Sequence, residues 1–276
     1  MTVAPTAAPT MATTMAATMA ATTGDLAGID AELDRVARRL RLPYLRAVAP
    51  DVLTTAKAQR WAPAEIIKAL LIAEENGRDH STITNRRRKA HLPTGKTFDA
   101  WDPKLSSIPP PTQDGLRTLE WVARHENVVV CGPSGTGKSM FLEALGHAVI
   151  DGGGTVAWFS VEQLGGLVRA HRVDDTIIKA ITPILRADLI AVDDIGLLPL
   201  STDAAEGLYR LIDAAYERRS VAISSNLHPS GFDELMPRTI ATALVDRLLH
   251  HAHVIVTTGD SVRLAQATTG KGVKPL

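Results

Sequence analysis

The fold is decided by Gly132-Pro133-Ser134-Gly135-Thr136-Gly137-Lys138-Ser139. This stretch matches G-x-x-x-x-G-K-[ST], in which glycines let backbone N–H groups turn around phosphate oxygens. An apolar strand, Asn127–Cys131, precedes it, and a helix is predicted to follow from Ser139 to about Ile150. Because the pattern binds nucleotide phosphates in this strand–loop–helix context, we predict an ATP site. Lys138 would meet the β- and γ-phosphates, and the Ser139 hydroxyl would bind Mg²⁺.

The sequence around the loop predicts an α/β domain with a five-stranded parallel sheet. Besides the strand before the loop, four apolar runs have strand length: Val156–Val161, Leu189–Val192, Val221–Ile223 and Val254–Val256. Most are continuous rather than alternating, as in parallel sheets covered on both faces, and helical stretches separate them. The run at 155–161 is an insertion that should keep the strand at 189–192 from lying directly beside the loop strand.

Polar side chains follow two of these strands. Asp193 and Asp194 end one strand, and Asn226 follows another. At the carboxyl edge of a parallel sheet, Asp193 would face Mg²⁺ and Asp194 would polarise the attacking water as a general base. Asn226 would hold that water or touch the γ-phosphate. The alternatives are an Asp favoured by a turn and an Asn that caps the next turn.

Arg247 and Arg263 are candidates for an arginine finger, which reaches the γ-phosphate of a neighbouring subunit. Arg247 lies on a predicted helix between apolar residues, and Arg263 is the weaker candidate. The alternative for Arg247 is a local pair with Asp246 or a surface charge. Three histidines follow in a spacing that is not typical of zinc sites, so we interpret them as a polar helix end: His250, His251 and His253.

The region before the loop divides into three parts. Residues 1–24 are almost only Ala, Thr, Met and Pro, which predicts a disordered tail. Residues 25–105 would form a helical N-terminal DNA-binding domain and its linker, and residues 106–276 the nucleotide-binding domain. Within the helical part, breaks are expected at Pro43 and Pro50 and a stop or turn at Asn76-Gly77. Five prolines between 93 and 113 predict a linker without packed structure.

Charge and composition limit the partners. The chain has 276 residues with 30 basic and 30 acidic side chains, so bulk charge gives no case for nucleic-acid binding. Between 84 and 97, however, there is no acid and there are five basic residues: Arg86, Arg87, Arg88, Lys89 and Lys96. The first four are our candidates for contact with the backbone of double-stranded DNA, and the alternative is a solvated helix face.

The same composition predicts a cytoplasmic protein that has no membrane partner. Cys131 is the single cysteine, which excludes a disulfide framework and fits a reducing compartment. No stretch of 18 uninterrupted apolar residues is present, and residues 1–24 lack the Lys or Arg of a signal peptide.

Further stretches make the chain similar to a known family over roughly residues 50–270. They are Arg86-Arg87-Arg88-Lys89-Ala90-His91-Leu92-Pro93, Lys96-Thr97-Phe98, the phosphate loop, Asp193-Asp194-Ile195-Gly196, Leu198-Pro199-Leu200, Tyr216-Glu217-Arg218-Arg219, Ser225-Asn226 and Asp246-Arg247-Leu248-Leu249-His250-His251-Ala252. With these the chain resembles the IstB-like proteins, ATP-binding helpers of bacterial insertion sequences that are related to the DnaC helicase loaders.

The resemblance implies an AAA+ ATPase of the initiator type with a small all-α N-terminal domain. By this likeness Asn226 is the sensor, Arg247 is the arginine finger, and Arg263 lies in a trailing Gly-Asp-Ser-x-Arg segment. Such proteins form ATP-dependent homo-oligomers on DNA and direct a partner transposase. The chain departs from the pattern at Asp194, where many AAA+ proteins have Glu, and at Val262, where the family usually has Tyr.

Three other functions stay open at this point. A DnaC-like replicative helicase loader would share these sequence features, and so would an ATP-gated DNA scaffold with little turnover. A P-loop kinase for a small molecule would need an acceptor site and a mobile lid, and the sequence offers no candidate for either.

Overall fold

The computed structural model describes residues 31–172 and 176–262, and it divides the chain into two compact units at Ser81/Thr82. This division lies before the 105/106 boundary expected from the prolines, because the residues that follow 81 pack with the nucleotide-binding unit. The tail predicted at 1–24 and the candidate Arg263 lie outside the described residues.

The first unit is helical, as predicted, but its helices are longer than the sequence suggested. It holds α1 (Ala31–Arg39), α2 (Pro43–Gln59) and the first part of α3 (Pro63–Ala90). Pro43 starts α2, where its missing N–H costs nothing. The break expected at Pro50 is wrong, since α2 continues through it with Ala49 and Ala56 buried on either side. Burial of Ala49 and Ala56 contributes more to the stability of α2 than the one backbone hydrogen bond lost at Pro50.

The turn expected at Asn76-Gly77 is also wrong, because α3 is one continuous helix across it. Gly77 is a packing position: a Cβ there would lie 2.1 Å from Cγ of Tyr44. The buried Glu74 carboxylate accepts hydrogen bonds from the backbone N–H groups of Tyr44, at 3.0 Å, and Leu45, at 2.9 Å. The glycine therefore makes room for the Tyr44 ring at the start of α2.

The second unit contains the predicted five-stranded sheet, and all its strands are parallel. The strands are β1 (Asn127–Cys131), β2 (Val156–Ser160), β3 (Leu189–Ile195), β4 (Ser220–Ser225) and β5 (Ala252–Val256). Their order is β2-β3-β4-β1-β5. The strand that ends in the two aspartates is thus not beside the loop strand, as expected, although the strand between them is β4 and the inserted strand β2 lies at the edge of the sheet.

Helices cover both faces of this sheet. They are α4 (Pro110–Arg117), α5 (Glu120–Ala123), α6 (Lys138–Asp151), α7 (Val161–His171), α8 (Ile177–Ile181), α9 (Thr202–Ala215) and α10 (Arg238–Leu249), with short 3₁₀ helices at Phe98–Ala100, Pro103–Leu105, Ile184–Arg186 and Pro229–Glu234. Alternate β1 residues enter different cores: Val129 packs with α7, α9 and α10, whereas Val128 and Val130 pack with α4, α5 and α6. Among the described helices, none is both long and apolar enough to span a membrane.

The proline-rich segment after α3 is packed, which corrects the expectation of a bare linker. Ile108 is buried within the α6-side core, and Leu92, Phe98 and Trp101 pack against it. The prolines start or flank short helices here instead of keeping the chain extended. The segment consequently forms part of the nucleotide-binding unit.

Candidate functional site

The phosphate loop is fixed against the end of β5. Gly132 has φ 142°, and a Cβ there would lie 2.2 Å from the Thr257 carbonyl oxygen, so only glycine fits. The Thr136 hydroxyl lies 2.8 Å from the Thr257 hydroxyl and 2.9 Å from the Pro133 carbonyl oxygen. The loop then enters α6 at Lys138, so the amino end of that helix points at the loop.

Lys138 lies inside the loop and connects it to the tip of β4. Its side chain is buried, and its ammonium donates to the carbonyl oxygens of Gly132 and Pro133, each at 2.8 Å. It also donates to Oδ1 of Asn226 at 2.9 Å. The structure thus brings together the predicted phosphate-binding cation and the predicted sensor.

The two aspartates stand at an irregularity in β3. The pairing with β4 shifts between Val192 and Ile195, and Asp194 has φ 60°. Bulges of this kind re-aim side chains and are frequent next to active sites. The buried Ser224 hydroxyl donates to the Asp193 carboxylate and accepts from the Asp194 backbone N–H at 3.0 Å. Ser224 therefore orients the acidic pair, a role that we did not predict although this residue belongs to the polar tip of its strand.

These groups line one cavity of about 490 Å³. Its lining includes the loop residues 134–139 together with Asp193, Asp194 and Asn226. The Ser139 hydroxyl and the Asp193 carboxylate are hard oxygen donors, which Mg²⁺ prefers. Hydrogen bonding by Ser224 gives the carboxylate the kind of support that metal ligands usually have. The residues present therefore fit a Mg²⁺–nucleotide.

A second wall of the cavity comes from residues 93–106, and no pattern in the sequence indicated it. Trp101 lies beside the loop, because a Cβ at Gly137 would meet its ring at 3.2 Å. Its indole N–H donates to Oε1 of Gln113 at 2.8 Å, and its ring packs on Phe141 with centroids 5.2 Å apart. Phe141 of α6 thus anchors this wall to the helix that follows the phosphate loop.

Cys131 ends β1 immediately before the loop. It is 1% exposed, and burial raises the pKa of its thiol. The thiol group therefore stays protonated and packed rather than acting as a nucleophile or a metal ligand.

Arg247 lies outside this cavity, on α10. Its Nε is 2.7 Å from Oδ1 of Asp213 on α9, and its guanidinium lies 5.6 Å from the centroid of the Tyr209 ring. It contacts Asp213 rather than its sequence neighbour Asp246, the partner considered from the sequence. Its role as an arginine finger stays a prediction.

The basic stretch is divided between intrachain contacts and solvent. Arg86 donates to the Gly153 carbonyl oxygen, and Arg87 donates to both carboxylate oxygens of Asp151, at 2.7 and 3.0 Å. Arg88 and Lys89 are exposed. The DNA-binding role stays a prediction for all four residues. Arg87 is exposed as well but is paired with Asp151, which favours Arg88 and Lys89.

The structure gives the histidines different partners. The Tyr216 hydroxyl and Nδ1 of His250 are 2.9 Å apart, while His253 lies 2.7 Å from Glu126. Glu217 also lies within 4.0 Å of His250 and His251. All three are exposed, but only His250 and His251 follow the last residue of α10, as the expected polar helix end requires, whereas His253 lies in β5.

Comparison with known proteins agrees with this geometry. The family described as IstB-like ATP binding protein matches residues 35–270. A relative from Pseudomonas aeruginosa, named for insertion sequence IS21 and for ATP binding, is 29% identical over 85% of this chain and 89% of its own. A second insertion-sequence ATP-binding relative, from Sinorhizobium fredii (strain NBRC 101917 / NGR234), is 29% identical over 88% of this chain and 82% of its own.

Among solved structures, the replication initiator DnaA bound to AMPPCP and single-stranded DNA shares the fold. Its TM-score is 0.50 at 18% identity, and the likeness covers 65% of this chain and 55% of that one. The AAA+ fold expected from the sequence is confirmed, and the match over residues 35–270 shows that this chain belongs to the IstB-like ATP-binding protein family.

Proposed function

We propose that this chain is a DNA-binding helper ATPase of an insertion sequence. With ATP and Mg²⁺ it assembles into homo-oligomers on double-stranded DNA and directs or activates the partner transposase at target sites. The observation that carries the proposal is the convergence of Lys138, Asn226, Asp193 and Asp194 on one phosphate loop. The insertion-sequence names of the relatives support the biological setting.

Hydrolysis would use groups that already face the cavity. The loop N–H groups and Lys138 would bind the phosphates, and Ser139 and Asp193 would hold Mg²⁺, which would supply positive charge to neutralise them. Asp194 accepts a proton from water while the water oxygen bonds to the γ-phosphorus. The bond from the γ-phosphorus to the β–γ bridging oxygen breaks, giving ADP and phosphate. Asn226 orients the water or the γ-phosphate.

Completion of the site requires a neighbouring subunit. Arg247 lies outside its own cavity, and it would stabilise the transition state at the next subunit's γ-phosphate. Turnover should therefore depend on assembly. We also propose a cytoplasmic location, where both ATP and a reduced Cys131 are expected.

The test is ATP hydrolysis with and without duplex DNA, with assembly size measured in the same samples. We expect turnover to rise with DNA and with assembly. Asp194→Asn should keep ATP binding and lose turnover, because an amide cannot accept the proton. ATP-dependent assemblies that show no turnover would instead indicate an ATP-gated scaffold, and absence of ATP binding would refute the proposal.

DNA contact is tested separately at the solvent-facing end of the basic stretch. Reversing Arg88 and Lys89 to Glu should weaken duplex binding and reduce the dependence of log K on log salt by about 0.9 for each phosphate that the variant no longer neutralises. The matched control reverses two other exposed basic residues, Arg218 and Lys179, which lie outside the basic stretch. If the control reversal weakens duplex binding as much as the reversal in the basic stretch, the effect is a general charge effect. If the reversal in the basic stretch leaves duplex binding unchanged, that stretch is a solvated helix face.

A further inference from the structure

A turn that precedes the phosphate loop in the chain is fastened to α6 by one buried carboxylate. Glu143 is 1% exposed. It accepts hydrogen bonds from the Thr94 N–H at 2.7 Å, the Thr94 hydroxyl at 2.6 Å and the Gly95 N–H at 2.6 Å. These bonds to a buried charged group hold the turn firmly, because charge-assisted hydrogen bonds are the strong ones.

The position of Glu143 on α6 places this turn at the phosphate end of the cavity. Glu143 follows Ser139 by four residues, so the two side chains share one helix face, one turn apart. Ser139 is the residue whose hydroxyl we assign to Mg²⁺. Gly95 has φ 74°, which lets the chain reverse direction there.

Lys96 follows the turn and lines the same cavity as Ser139, Asp193 and Asp194. Its side chain is exposed, and among the described residues no carboxylate lies within ion-pair distance of it. The segment is fixed beyond Lys96 as well, since the Phe98 ring packs edge-on to Phe141 with centroids 5.8 Å apart. A cation is thus held between two anchored points at the edge of a cavity whose lining includes four carboxylates, those of Asp102, Glu143, Asp193 and Asp194.

We propose that Lys96 binds the terminal phosphates of the nucleotide and so adds a second side-chain cation to Lys138. The proposal rests on the proposed nucleotide site. A triphosphate brings several negative charges into a cavity lined by Asp193 and Asp194, and a second cation lowers the cost of bringing them together. The sequence counted Lys96 in the basic run at 84–97 without making it a DNA-binding candidate, and in the structure it follows the turn at Thr94-Gly95 and lines the same cavity as the phosphate loop.

The experiment measures equilibrium binding of ATP, ADP and AMP, with Mg²⁺, to the full chain. Lys96→Ala should weaken ATP binding about tenfold, equivalent to about 1.4 kcal/mol, and should leave AMP binding nearly unchanged. Lys96→Arg should restore most of the affinity because it keeps the charge. Lys104→Ala is the matched control, since Lys104 is an exposed lysine of the same segment that does not line the cavity.

The outcomes separate this inference from the proposed function. Unchanged ATP affinity in Lys96→Ala, or equal losses for ATP and AMP, would overturn the inference. If Lys96→Ala lowers only the affinity for DNA, Lys96 instead contacts DNA together with the basic stretch. If the wild-type chain binds no ATP, the proposed function itself fails. A thermal unfolding midpoint equal to that of the wild type shows that Lys96→Ala is folded. If the midpoint of Lys96→Ala falls, Lys96→Gln is measured in its place.

Discussion

The substitution Asp213→Asn tests whether the ion pair between Arg247 and Asp213 limits the proposed action of Arg247 as an arginine finger. If Arg247 reaches the γ-phosphate of a neighbouring subunit, it must first leave the Asp213 carboxylate, 2.7 Å from its Nε. The two side chains are 32% and 48% exposed, so water screens the pair. Pairs of this kind contribute about 0.2–1 kcal/mol. Asp213→Asn should therefore raise the turnover of assembled protein by about 1.4- to 5-fold.

The assay is steady-state ATP hydrolysis at saturating ATP and duplex DNA, over a range of protein concentrations. Arg247→Ala should lower the assembled rate by about 10³-fold or more, because a finger contributes at least that much. Both variants should match the wild type in any residual activity of the monomer, where no neighbour receives the finger.

The control is Glu206→Gln, which removes another acid of α9, half-buried at 24% exposure, that pairs with Arg172 and Arg210 instead. It should leave assembled turnover unchanged. A drop in turnover on Asp213→Asn would mean that the aspartate positions Arg247 for catalysis. Undiminished turnover of Arg247→Ala would remove the finger assignment altogether.

Three further predictions follow from single side chains. Lys138→Ala should abolish ATP binding in an equilibrium titration while the variant stays folded; retained affinity would contradict the central role of the loop. Gly77→Ala should lower the unfolding midpoint of the helical unit, because overpacking costs about 1–3 kcal/mol, and adding Tyr44→Ala should recover part of the loss. Burial, followed by the charge of Arg87, lowers the pKa of His147 below its ordinary value of 6.5. The unfolded state then binds more protons, so stability should fall as pH drops from 6.5 through the folded pKa. His147→Leu should flatten that dependence in melts between about pH 7.5 and about pH 5.5, and an unaltered slope would refute the assignment.

The sheet could be predicted from the sequence because its signals are local. Most strands contain a continuous apolar run, and the loop pattern fixes which strand precedes the phosphates. The same reasoning placed Asp193, Asp194 and Asn226 at one edge, since parallel strands end together. Helix ends in the first unit were harder to predict, because Pro50 and Gly77 are tolerated for reasons of packing that only the folded chain reveals.

The second wall of the site could not be predicted, because its contacts join residues far apart in the chain. Glu143 meets Thr94 of this wall across 49 positions, and outside the wall Arg87 meets Asp151 across 64. Local composition shows Glu143 only as a charge on a helix and Arg87 only as part of a basic run. Nothing in either neighbourhood identifies the partner, so the sequence could not tell a buried anchor from a solvated charge.

The burial of Cys131 has a practical consequence for experiments on this protein. It is the single cysteine of the chain, and a protonated, enclosed thiol reacts slowly with maleimides and related reagents. Fluorophores or spin labels can thus be attached to a cysteine introduced at an exposed position, such as that of Lys104, without first replacing the native one. The wild-type chain, treated with the same reagent, provides the unlabelled reference.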